Sequence, residues 1–373
     1  MIAAITVMML VSALPFALTG PMASYIQDDL RFDDAVLGLV LGAHPLGLAL
    51  TSLPAGYFIE HVGVARGLRA CLLVTMCAAV VAAASTTWVA LALSLFLCGC
   101  AGVLADMVSA LWVSRAVPPA RHGFTFGLRQ AMSPASAMIG GVAVPAIAAT
   151  MGWRWAFAGV AVGTLATGAF LRRMKPPVHA RRKHDRGGDV KLSALMILGV
   201  SVCLAQTPVF FFIGFTVKAA TSSGLSPTAS GILFAASAAL GIGCRVALGV
   251  FVDRSSKNVI NVIISYLIVG SIGLAAISTG NSWVIVFACP LSFASLWAWQ
   301  ALVYVFILRT NKTAPAFAAA VMVVFFATGA FAGSVTFGAI SNHSIRAAWL
   351  SAAAMPIIAI PWMVAARRHF GSA

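Results

Sequence analysis

Three charged side chains stand inside apolar runs of this chain: Asp106 in GVLADMVSALWV, Arg129 in GFTFGLRQAMSP and Arg245 in GIGCRVALGVFVD. A charge among so many apolar neighbours is costly and usually faces a cavity or a partner. Asp106 lies seven residues before Val113, where its run ends, and Arg129 lies six residues after Gly123, where the next begins. At about 1.5 Å of helix rise per residue, both fall ~10 Å below one surface. Two chemistries fit that placement. The pair can close into a structural ion bridge, which avoids the desolvation cost. Alternatively, Arg129 can clamp a carboxylate or phosphate through its planar fork, with Asp106 as counter-ion or proton carrier. Gln130 and Ser133 follow on the same stretch and could add hydrogen bonds.

Arg245, Gly249 and Asp253 recur at i, i+4 and i+8 and so share a helix face. That spacing favours an Arg245–Asp253 network at a helix end over a substrate contact. His44, followed by Pro45, falls near the middle of another apolar run. It reads either as a satisfied core residue or as a protonatable coupling site, since imidazole titrates near physiological pH. Gln206, Thr207 and Pro208 interrupt a further run, and a proline there frees a backbone carbonyl and predicts a kinked or broken helix beside a cavity. Trp297, Gln300 and Tyr304 follow i, i+3, i+7 and share one face, a stripe that suits packing or binding.

The sequence lacks the patterns of common catalytic and metal centres. No HExxH, Walker-type phosphate cradle or Ser/His/Asp arrangement occurs. The seven cysteines all fall in apolar runs without CxxC or Cys/His spacing, as expected of small buried hydrophobes. No cofactor, metal or catalytic residue is expected. With no nucleotide-binding domain, any work the protein does must draw on a gradient.

The elements that position these groups follow from composition. Only 9% of residues are charged and 61% are hydrophobic; an ordinary soluble domain carries roughly 25% charged residues. The consistent solvent is lipid. Apolar runs long enough to cross it lie near 2–26, 35–58, 67–86, 88–113, 123–149, 155–172, 192–218, 229–251, 259–278, 282–307, 314–340 and 344–366, twelve in all. The first lacks the basic n-region of a signal peptide and reads as a span. The short basic leader usual before such a span is absent, so the chain is expected to start abruptly or to be truncated.

The net charge is +15, yet the bases sit in short loops, so they are expected to set orientation rather than to bind nucleic acid. With both termini cytoplasmic, the inner segments hold 18 Lys+Arg and the outer loops hold 4, namely Arg31, Arg154, Lys218 and Arg346. That bias fits the positive-inside rule. The first outer loop carries Asp28, Asp29, Asp33 and Asp34. Residues 173–191 (polar, basic, with Pro-Pro and Gly-Gly) read as a flexible cytoplasmic linker between an N-terminal bundle, 1–172, and a C-terminal bundle, 192–373.

The two halves echo each other. Gly56-Tyr57-Phe58-Ile59-Glu60 recurs as Gly249-Val250-Phe251-Val252-Asp253 at an offset of 193, Arg115 as Arg309 at 194, and Arg154 as Arg346 at 192. Three landmarks in order at equivalent helix ends indicate a duplicated six-span unit.

These residues resemble the major facilitator superfamily. The stretch GYFIEHVGVARG carries Gly56, Glu60, Gly63 and Arg66 on the family's loop motif, and GVFVDRSSK repeats it with Gly249, Asp253 and Arg254. PPARHGFTFGLRQA and GWRWAF look like bacterial members too. The first copy departs in having Glu60 and His61 where the family usually has Asp and Arg, and its next base is displaced to Arg66. The antiporter signature of the fifth span is only partly echoed by Ser133-Pro134 and Gly140-Gly141, so no antiport is inferred. The resemblance implies an all-α polytopic fold, with the two motif copies, and Arg245 beside the second, acting in conformational exchange. It also implies a cavity lined by the seventh and tenth spans.

The expected function is secondary transport of a small solute by alternating access at a midplane site. A small organic anion is favoured on the strength of Arg129. Efflux of an amphiphilic drug is the alternative, and a non-transporting membrane sensor is a third reading of another class. The expected setting is a bacterial cytoplasmic membrane, with a monomer that binds its solute and a proton or other coupling ion.

Overall fold

The computed structural model describes residues 2–116, 131–172, 192–254, 259–310 and 315–370. The described residues are helical throughout, without strands. In hydrocarbon each backbone N–H and C=O must find its partner inside the segment, and the helix is the one open-chain solution.

Among the described residues ten helices are long and apolar enough to cross a membrane. Numbered along the chain they are span 2 (Asp34–Ser52), span 3 (His61–Ala83), span 4 (Trp88–Val113), span 6 (Trp153–Arg172), span 7 (Leu192–Ser222), span 8 (Pro227–Leu248), span 9 (Val259–Ile277), span 10 (Ser282–Ile307), span 11 (Ala318–His343) and span 12 (Ile345–Phe370). Span 1 is a pair, Ile5–Thr19 and Ala23–Leu30, bent by 61°. Gly20 and Pro21 occupy the bend, where the one tolerates open dihedrals and the other cannot donate to the ladder. Span 5 is the shorter apolar helix Met132–Ala148, whose last turn, Val144–Ala148, widens to a π-helix around Pro145. The first part of its expected run lies outside the described residues. Together these account for the twelve expected spans.

Three local features refine the sequence reading. Spans 2 and 3 form one run, Asp34–Ala83, broken only at Gly63 with φ 83° and ψ 169°. Only glycine enters that region readily. Span 3 therefore starts at His61, earlier than the expected residue 67. Span 7 stays continuous through Pro208, so of the predicted kink or break the break does not occur. The carbonyl that Pro208 leaves without a donor is that of Leu204, and the Thr207 hydroxyl donates to it across 2.8 Å. The break falls in span 10, which divides into Ser282–Leu296 and Trp299–Thr310.

The turn from span 1 into span 2, Gln27–Asp34, marks one end of the bundle, here called the acidic end. Asp33 caps span 2 by accepting from the Val36 amide at 3.0 Å. One buried apolar cluster, with Leu37, Leu41, Phe211 and Phe215 among its members, joins the two six-helix halves toward this end. Toward the opposite end each half has its own cluster: one around Ile59, Val108 and Trp112, the other around Leu198, Trp299 and Met322.

The joint is a seam of small residues. A Cβ on Gly20 would lie 2.7 Å from the Ile213 carbonyl oxygen. One on Gly338 would lie 2.7 Å from the Gly38 Cα, and one on Gly141 2.5 Å from the Gly231 carbonyl oxygen. Spans 1 and 7, 2 and 11, and 5 and 8 thus approach backbone to backbone, as glycine permits between helices in a bilayer.

Candidate functional site

A cavity of about 270 Å³ lies between the halves, walled on the acidic side by the joined cluster. It takes residues from both halves: Ser12 and Phe16 of span 1, His44 of span 2, Asp106 of span 4, Ser133 and Ser136 of span 5, Gln206 and Phe210 of span 7, Arg245 of span 8, Trp297, Gln300 and Tyr304 of span 10, and Phe326 of span 11.

The break in span 10 shapes one wall. Trp297 and Ala298 connect the two helical pieces, and Gln300 is the second residue of the second piece. The Gln300 amide donates to the Gln206 carbonyl oxygen at 2.8 Å, so span 7 holds the second piece in place. The expected stripe Trp297, Gln300 and Tyr304 faces the cavity as a unit. Trp299, one position off the stripe, is fully buried and packs on Phe326 with ring centroids 5.6 Å apart. Tyr304 stacks on the same ring at 5.7 Å.

The wall toward the acidic end is aromatic. His44 stacks on Phe16 with centroids 4.3 Å apart and lies 5.9 Å from Phe210, and Phe16 meets Phe210 at 4.9 Å. Phe16 belongs to one half and Phe210 to the other, so this stack crosses the seam. The His44 Nδ1 is buried and has no hydrogen-bond partner.

The structure brings Asp106, Ser133, His44, Gln206, Trp297, Gln300 and Tyr304 to one cavity. Arg245, expected at the helix-end network, lines it as well. Thr207 turns back to its own helix. Arg129 and Gln130, with the expected Asp106–Arg129 pair, lie outside the described residues. Of the loop-motif residues, Gly63 makes the kink and Arg66 is exposed. Gly56 and Glu60 lie in the helical run before that kink, and Gly249, Asp253 and Arg254 lie in the helix Pro227–Arg254. Among the described residues no group of His, Cys, Asp or Glu could hold a metal ion.

Sequence reasoning passed over two sets of residues. Phe16 and Phe210 carried no signal, because a mid-span phenylalanine looks the same whether it packs or lines a cavity. Asp34 and Lys218 did carry one: Lys218 is one of the four bases in loops expected on the side that bases avoid, and the first acidic loop is its natural partner.

An all-helical membrane bundle of two six-helix halves, enclosing a cavity of mixed polar and aromatic lining, is the architecture of a solute transporter. Residues 5–334 match the family model of the Major Facilitator Superfamily, and the chain belongs to that family. It is a multi-pass membrane transporter, not an enzyme. Solved structures share the fold at low identity. The xylose transporter XylE from E. coli, in an inward open conformation, superposes with a TM-score of 0.81 at 14% identity, covering 97% of this chain and 94% of that one. A bacterial homologue of the human lysosomal transporter Spinster, inward-facing and unoccupied, gives 0.78 at 12% identity, covering 99% and 96%. The nucleoside transporter NupG, as a point mutant, gives 0.77 at 14% identity, covering 97% and 99%. A search of curated protein sequences finds no match.

Proposed function

We propose that this transporter is a secondary active carrier of a small organic anion with an apolar body. The single observation that supports this reading is the placement of Arg245 on the wall of the central cavity, with Gln206 and Gln300 on the same wall set. A guanidinium within a span costs ~2.5–3.5 kcal/mol on insertion scales. It offers a planar fork of donors that matches a carboxylate. Phe16, Phe210, Trp297 and Phe326 give the apolar body of the solute a surface. Asp106 serves as counter-ion or proton carrier, and Arg129 with Gln130 remains a second candidate clamp on the family's fifth span.

The acidic end faces away from the cytoplasm in this reading. The 18-to-4 distribution of Lys+Arg supports that orientation in a bacterial inner membrane, with both termini inside. Residues 1–172 and 192–373 are then the two moving units of a monomer, joined by the linker 173–191. The loop-motif residues Gly56, Glu60, Gly63 and Arg66, with Gly249, Asp253 and Arg254, act in the exchange between states. The halves are joined toward the acidic end and hold separate clusters at the other, which fits access from the cytoplasm.

The aromatic lining also suits an amphiphilic drug, and one experiment separates the two substrates. Purified protein is melted with a panel of small carboxylates such as benzoate and salicylate, their neutral amides, and the amphiphilic cation rhodamine 6G. A ligand that prefers the folded state raises the melting temperature by mass action. The expected result is a shift with a carboxylate, none with its amide, and loss of the shift in Arg245→Gln. A shift with rhodamine 6G alone overturns the anion reading.

A further inference from the structure

Gln206 and Gln300 meet on the cavity wall but do not satisfy each other. The Gln300 amide donates to the Gln206 carbonyl oxygen at 2.8 Å, and among the described residues that is the one hydrogen bond either side chain makes. The Gln206 NH2 group and the Gln300 carbonyl oxygen are left over. Gln206 is only 3% exposed and lines the cavity, so the cavity is where its amide can find a partner. A buried amide group without a partner is costly. Turning both amides over exchanges the roles and still leaves one donor and one acceptor. The pair therefore calls for a group that accepts and donates at once, and a hydroxyl is the smallest that does both.

The internal repeat agrees. At the offset of 194 that carries Arg115 to Arg309, Ser12 corresponds to Gln206 and Asp106 to Gln300. All four line the cavity. Where the N-terminal half sets a hydroxyl and a carboxylate, the C-terminal half sets two neutral amides. At that level the wall suits an uncharged polar group, since a bare charge would give up water without gaining a counter-charge.

Arg245 sets the length of the solute. It lies within electrostatic reach of the Tyr304 phenol, and Tyr304 follows Gln300 by four residues on the same helical piece. The span 10 positions beside the guanidinium and the amide pair are thus one helical turn apart, about 6 Å. A para-substituted benzene ring bridges such a gap, and Phe16, Phe210, Trp297 and Phe326 supply faces for it. Two bases nearer the acidic end are engaged elsewhere: Lys218 ion-pairs with Asp34, and Arg154 with Asp29.

We infer that the solute is a hydroxylated carboxylate: its carboxylate lies on Arg245, and a hydroxyl at the far end of its apolar body donates to the Gln300 carbonyl and accepts from the Gln206 amide. The hydroxyl subsite presupposes the carboxylate at Arg245. It makes the two glutamines the residues that choose among carboxylates of similar size, because a site with buried polar groups rejects the analogue that leaves them unpaired.

Isothermal titration calorimetry on the purified full chain compares benzoate, para-hydroxybenzoate, para-methoxybenzoate and salicylate. Para-hydroxybenzoate is expected to bind at least tenfold tighter than benzoate. The methoxy ether accepts but cannot donate, and the salicylate hydroxyl sits beside its carboxylate, so each is expected to lose that gain. In Gln206→Leu combined with Gln300→Leu the preference for para-hydroxybenzoate over benzoate is expected to vanish, whereas in Arg245→Gln both affinities are expected to fall together. If the double variant does not fold, the four ligands on the native chain decide. Equal affinity for benzoate and para-hydroxybenzoate overturns the hydroxyl subsite and leaves the carboxylate reading standing. A preference that survives the double variant overturns it too, by moving the hydroxyl contact elsewhere. Binding of none of the four overturns both readings.

Discussion

Gln300 donates to Gln206 across 2.8 Å, and this bond fastens the second piece of the broken span 10 to the uninterrupted span 7. Each amide sits at a weak point: Gln300 just after the break, and Gln206 two residues before Pro208. Gln300→Leu should therefore lower unfolding stability by about 1–3 kcal/mol, because the Gln206 carbonyl loses its donor. The double variant Gln206→Leu/Gln300→Leu should lose less than the sum of the single changes, since neither polar group is then left behind. Thermal melts of the four proteins in one detergent check this. Additive losses would mean that the two amides act independently.

Arg245→Gln is expected to reduce uptake of a stabilising carboxylate into proteoliposomes by at least tenfold, about 1.4 kcal/mol of binding. Arg245→Lys should recover only part of it, because an ammonium lacks the planar fork. Uptake that survives in Arg245→Gln would move the anion contact to another base.

His44 is packed against Phe16 and lies beside Phe210, which favours a ring-packing role. His44→Phe should retain uptake and its dependence on pH. His44→Ala should cost stability by ~2–5 kcal/mol through the cavity it leaves. A flat pH profile in His44→Phe would reinstate the imidazole as a coupling group.

Gly63, the third residue of span 3, adopts φ 83° and ψ 169°, a region essentially confined to glycine. Gly63→Ala should destabilise the protein by ~1–3 kcal/mol, read as a lower melting temperature. An unchanged melt would show that the kink can be made elsewhere in the run.

The bundle was largely legible in the sequence because lipid imposes a simple rule: a self-satisfied helix about twenty residues long. Span 10 was placed at 282–307 and occupies Ser282–Ile307. Its break was not legible, since Trp297 and Ala298 carry no breaker signal. The converse held at Pro208, where a strong breaker is neutralised by the Thr207 hydroxyl one residue away. Side-chain bookkeeping at that scale depends on rotamers, which periodicity does not encode. For the site, polar residues in apolar runs were the productive clue: Asp106, His44, Gln206, Gln300 and Arg245 all reach one cavity. Arg245 lines that cavity, while the Asp253 side chain, and with it the expected Arg245–Asp253 network, lies outside the described side chains. The aromatic wall arises from contacts between halves, which no local pattern records.

The glycine seam carries a mechanical consequence. Where Gly38 faces Gly338 and Gly141 faces Gly231, the meeting surfaces are nearly smooth backbone, without knobs lodged in holes. At those two points one bundle can roll over the other as on a bearing, and resistance to rotation falls on the side chains that cross the joint, such as Leu41 seated against Gly214 and Phe16 against Phe210.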